Sequence, residues 1–303
     1  MKKTIFFLFA ASLVACGETT VTENVTNPNN DITVPIPDDP NLREKVDAIE
    51  KIFYAIPSPR ETIEIIEDAG AVFDVQLTND PSKLDSYTSK TERALNMGVY
   101  GADVNYCTAF NKTSDVMMLL ACTRTLGDQL GLGSVFNQNV QDRLNDNRDD
   151  ADSVQSIITA TFWEIESKLQ DDGRPELAAL IVIGGWIEGL YIACGQAKIN
   201  MENQAMIDQI AGQQVALNHI IGLAGQYQET SENATNEKIK DLLISLEELR
   251  GLYDKIEVTE SAGSGGETDG IPTIGKKIER NMSAELLQEI TVMVFKMRDG
   301  IVG

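Results

Sequence analysis

The stretch LAALIVIGGWIEGLYIA at 177–193 constrains this 303-residue chain more than any other. Its uninterrupted apolar part runs from 177 to 187, where Glu188 ends it. That falls well short of the ~20 residues needed to span a bilayer, so the segment reads as a central core helix. Ile181, Val182 and Ile183 form the best strand candidate in the chain, yet the helix-favouring flanks outweigh it. Gly185, Gly189 and Ala193 recur every four residues. This spacing predicts a nearly bare face on which a neighbouring helix approaches closely. Glu188 is then the conspicuous residue, because a carboxylate among apolar neighbours needs a partner or a proton. Trp186 and Tyr191 stand beside it and join it as candidate binding residues.

Most of the remaining chain from residue 41 carries the same helical period. Val46, Ile49, Phe53 and Ile56 trace one amphipathic helix. Ser58, Pro59 and Glu61 make a capping box that opens a second, ending near Gly70. After the loop marked by Asp80, Pro81 and Ser82, helices are predicted at about 84–110, 114–130, 135–145, 150–170, 175–197, 202–226, 234–257 and 283–299. Gly173 followed by Pro175 is a strong stop and restart. The run SAGSGGETDG at 261–270 reads as a flexible loop before the last helix. These elements predict an all-α fold, a multi-helix bundle of helical hairpins, with an irregular α-solenoid as the second choice. The domain spans 41–303, with room for two packed sub-bundles that break near 200–232.

Gly98 and Gly101 interrupt the helical run LNMGVYGADVNY at 95–106, at about 1 kcal/mol each relative to alanine. Tight packing or a group bound near Tyr100, Asp103 and Tyr106 would offset that, with packing favoured. Asp146, Asp149, Asp150 and Asp152 suggest calcium, but no alignment supplies both the glycine and the final glutamate of an EF-hand loop. The cluster therefore reads as the acidic start of a helix, and no metal site is expected. Gly270, Gly275, Lys276 and Lys277 approach a phosphate loop without its hydroxyl residue, a chance match. His219 is the single histidine, and its apolar neighbours place it on a helix near the core. Neither a nucleophile motif nor a metal-ligand motif is present, so no cofactor and no catalytic residue is assigned. Cys107, Cys122 and Cys194 are predicted to be buried, unpaired thiols.

The N-terminus reads MKKTIFFLFAASLVAC. Two lysines, a short apolar run and small residues before Cys16 have the layout of a secretory signal peptide. Leu13, Val14, Ala15 and Cys16 resemble the lipobox of bacterial lipoproteins. That resemblance implies removal of residues 1–15, acylation of Cys16 and a lipid anchor in the membrane. Gly17 after the cysteine implies an outer-membrane position facing the periplasm. Residues 17–40, polar and rich in Thr, Asn and Pro, form a tether with a reach of ~27 Å. The segments at 95–106, 146–152 (DNRDDAD) and 184–193 are similar to those of a group of helical lipoproteins of Gram-negative bacteria, over about residues 57–197. The similarity implies fold class and location and carries over no catalytic residue.

A net charge of −22, made more acidic when the two lysines of the signal leave, argues against nucleic-acid partners. The expected function is therefore a non-enzymatic binding or scaffold module for an envelope protein or small ligand. The alternative is an envelope hydrolase using paired carboxylates, with Glu188 and Asp103 as the candidates. Oligomeric state and the identity of the partner are left open.

Overall fold

The helix expected from about residue 84 begins at Lys90, six residues later than the periodicity alone places it, because the local chemistry favours a late start. The computed structural model describes residues 67–303 apart from 68, 149, 229–232, 263–265, 269–270 and 274–275. The expected signal, Cys16, the tether, the helix near 46–56 and all but the end of the helix expected at 59–70 lie outside the described residues. Asp80 accepts from the Ser82 amide and opens a 3₁₀ turn, Pro81–Ser86. Ser89 and Glu92 then form a capping box: the Ser89 hydroxyl accepts from the Glu92 amide, and Glu92 accepts from the Ser89 amide. Helix α1, Lys90–Ala109, starts there.

Asn111 adopts a left-handed φ of 54° and turns the chain into α2, Thr113–Gln129. The helices α3 (Gln138–Asp146) and α4 (Ala151–Asp171) follow, capped by Asn137 and Asp150. Asp150 accepts from the Ser153 amide, which is the acidic helix start read from the sequence. Gly173, at φ 69°, and Pro175 separate α4 from α5, Pro175–Ile199.

Helix α5 is long and apolar enough to cross a membrane by length and composition, with a mean hydropathy of 1.9, but 89% of that apolar window is buried inside the fold. It is the core helix, packed on α1, α4, α6, α7 and α9. Leu95 faces Gly184, Gly98 faces Ile181 and Gly185, and Tyr106 meets Gln196. These pairs rise together along both helices, so α1 and α5 run parallel. A Cβ at Gly98 would stand 1.9 Å from the Ile181 carbonyl oxygen, and one at Gly184 would stand 2.1 Å from that of Leu95. The two backbones touch there, which explains the glycines of both segments. The predicted stripe is corrected in its position: a Cβ on Gly189 would meet nothing, and the contact row is Ile181, Gly184 and Gly185.

The predicted helix 202–226 is two helices, α6 (Gln204–Gly212) and α7 (Gln214–Gln228). Gln213 breaks it because its buried side chain accepts from the Trp186 indole, while the Tyr253 hydroxyl takes the Ile210 carbonyl. Helix α8, Asn233–Tyr253, packs on α7. The flexible loop expected at 261–270 is also corrected. Strand β1 (Glu257–Ala262) pairs antiparallel with β4 (Lys276–Asn281), and β2 (Gly266–Thr268) with β3 (Ile271–Thr273). The described residues of the near phosphate loop, 271–273 and 276–277, therefore lie in strands and not at a helix start. Helix α9, Ala284–Val302, closes the chain against α5 and α8. The architecture among the described residues is all-α and multi-helical, with one apolar core running from Leu77 to Val302.

Candidate functional site

Helices α1 and α5 present different chemistry on different faces. On one face, Asp103 and Glu188 are fully buried. Glu188 is held bidentately by Arg298 of α9, Nε to Oε2 at 3.1 Å and Nη2 to Oε1 at 3.0 Å. The guanidinium also lies 4.6 Å from the centre of the Tyr191 ring. Asp103 accepts the Asn79 amide at Oδ2, while its Oδ1 receives no donor. Burial, then the neighbouring Glu188 charge, pushes the Asp103 carboxyl well above the usual carboxylate range. Burial also raises Glu188, against the pull of Arg298 and a hydrogen bond from Asp103. Of the two, Asp103 is pushed further toward its protonated form, because only Glu188 has a cation in contact.

A polar seam continues from this pair. The Asn79 amide group donates to the Tyr87 hydroxyl, and Asn96 donates to the Glu92 and Ile301 carbonyls. Tyr100 gives its hydroxyl to the Asp80 carbonyl and sets its ring edge-on to Tyr87. Burial drives the Tyr100 hydroxyl above the usual phenol range. Tyr106 belongs elsewhere: it accepts from the Asp74 amide and Gln196, and stacks on Phe73 at 5.3 Å. It thereby pins the 72–74 segment. Trp186 turns to a third place, with its indole bonded to Gln213 and its ring against a cavity. Of the six residues singled out in the sequence, Asp103, Glu188 and Tyr191 thus meet around Arg298, Tyr100 lies beside them, and Tyr106 and Trp186 do not.

That cavity, of about 210 Å³, lies between α1, α4 and α5. Gly98, Gly101 and Gly185 contribute bare backbone to its lining, and Ile181, Val182, Phe162, Trp163 and Trp186 supply apolar walls. Its polar groups are largely spent on the protein. Gln155 donates to Asn105, Asn105 donates to the Gly101 carbonyl, and Glu166 accepts from Gln170. A second cavity of about 160 Å³ lies against α2, α3 and α4. Neither Asp103 nor Glu188 lines either cavity.

Sequence reasoning missed Arg298 and Phe162. Arg298 carried a signal: Val294, Met297, Ile301 and Val302 share its helical face, so a charge there demands a buried partner. Phe162 carried none, since its role depends on Gly101, where a Cβ would come within 2.4 Å of the ring. The three cysteines are free and buried, and burial pushes Cys194 up to about 12. Among the described residues no three His, Cys, Asp or Glu side chains converge as a metal would need. No family model, no curated protein and no solved structure matches the chain.

Proposed function

We propose that this chain is a lipid-anchored lipoprotein whose helical body is a non-enzymatic binding module, held by Cys16 to the outer membrane and facing the periplasm. The observation that carries the binding role is the apolar cavity under Trp163 and Trp186, whose polar groups are largely spent on the protein and which presents no acid–base pair. Such a concave, apolar space with few polar groups is the usual form of a ligand or anchor-residue site. The signal layout and the tether support the location. Native purification of the tagged chain from membranes, with mass spectrometry of lipid and companions, tests the reading. A diacylated Cys16 peptide and a retained ligand or partner are expected. A Cys16→Ser chain that stays in the membrane, or robust turnover of a cell-wall substrate, would overturn it.

One observation favours the hydrolase alternative, namely that Asp103 and Glu188 pair as such a mechanism requires. Against it, both are sealed from solvent and Glu188 is neutralised by Arg298. Full retention of function in Glu188→Gln would dispose of it.

A further inference from the structure

The two cavities share a wall. Ile158 and Phe162 of α4 line both, and the half-buried Phe162 ring, lying on Gly101, is the partition between them. A cavity of about 150 Å³ accommodates one benzene ring, so spaces of about 210 and 160 Å³ suit an apolar chain of roughly twelve to fourteen carbons once the ring swings aside.

The lining also sets a direction. The larger cavity has no cation in its walls and ends on the two tryptophans. The smaller one has a single cation, Arg124, and no carboxylate in its walls. Its hydroxyls, Thr123 and Thr161, are bonded to carbonyls of their own helices, and Gln141 donates to the Phe136 carbonyl. Arg124 differs from Arg174 and Arg298, whose guanidinium groups are bonded to protein oxygens. Among the described residues its one ion pair is with Asp128, one turn on, at 3.8 Å, and its side chain is 45% exposed. A guanidinium in that state has donors free for a planar anionic head.

We infer that the paired cavities bind a single-chain amphiphile with a carboxylate head, the head on Arg124 and the tail running past Phe162 to Trp163 and Trp186. The inference rests on the binding-module reading and names its ligand class.

The chain's two tryptophans both line the larger cavity, so its indole fluorescence reports on that space alone. The test titrates the full chain carrying Cys16→Ser with dodecanoate brominated at the chain end, and separately with dodecanoate brominated beside the carboxylate. Saturable quenching by the first and little by the second is expected. Arg124→Gln, at an exposed site, should weaken binding about tenfold and leave a neutral bromododecanol unaffected. Val182→Phe, which fills the larger cavity, should abolish quenching. Equal affinity for acid and alcohol, or no effect of Arg124→Gln, would overturn the carboxylate head. Quenching by bromobenzene without any by the brominated chain would overturn the chain-like ligand and leave the pocket reading standing. Quenching by neither would overturn both.

Discussion

The two faces of the α1–α5 pair show how one helix packing serves opposite ends. On one side Asp103 and Glu188 are buried with Arg298 in a charged knot, and Asn96 and Tyr100 extend its polar seam. On the other, Gly98, Gly101, Gly185 and Trp186 surround open space. The difference follows from what fills each side. Helix α9 brings a long cationic side chain into the first face, and the Coulomb attraction offsets desolvation only because the geometry is bidentate. Helix α4 brings Phe162 and Trp163 against the second, and flat rings over bare glycine leave gaps that branched aliphatics would fill. Stability is therefore concentrated on one face and spare volume on the other.

Breaking the knot should have the largest effect. Arg298→Met leaves the Glu188 carboxylate buried beside Asp103 without its cation, and should cost about 3–5 kcal/mol in urea unfolding. Thr159→Val on the exposed rim of the cavity should change stability by no more than about 0.5 kcal/mol. Similar losses from both would erase the contrast.

The seam between the faces comes next. Gly98→Ala forces the backbones of α1 and α5 apart at Ile181 and should cost about 3 kcal/mol. Gly189→Ala, where a Cβ meets nothing, should be neutral or stabilising by up to about 1 kcal/mol. Thermal melts of the two variants separate a contact row at Ile181, Gly184 and Gly185 from one running through Gly189.

The knot's pH dependence tests the same contrast without breaking it. Asp103 keeps its proton in the folded state at pH values where the unfolded chain has lost it. The folded state then binds more protons, so its stability falls as pH rises from the ordinary aspartate range toward the raised native value. The slope reaches at most about 1.4 kcal/mol per pH unit. Asp103→Asn can still accept the Asn79 amide, and it cannot ionise. It should match the parent chain near pH 4 and exceed it near pH 8. Parallel stability curves for the two would show that Asp103 is ionised in the native state.

The helices were legible because burial on one side imposes a period of 3.6, and Asn, Asp, Ser, Gly and Pro mark the ends chemically. The break at Gly173 and Pro175 needed no partner to be read. The late start of α1 was legible too, in Ser89 and Glu92, but the longer apolar pattern obscured it. The hairpin arm at 257–281 escaped, because its strands alternate no apolar side and so carry no register signal. In the site, Glu188 announced itself as a charge among apolar residues, and Asp103 lay in the segment whose glycines pointed to close packing.

The sequence alone determined that the body is helical and that 177–193 is its centre, and it favoured packing at the glycines of 98 and 185. Those are local properties, written in neighbours three and four residues apart. The tertiary structure decided which charge answers which. Arg298 stands 110 residues from Glu188, Gln213 stands 27 from Trp186, and no spacing rule links them. Only the stacking of α9 and α4 on the α1–α5 pair makes one face a sealed ion pair and the other a cavity, because desolvation and leftover volume are properties of the packed whole.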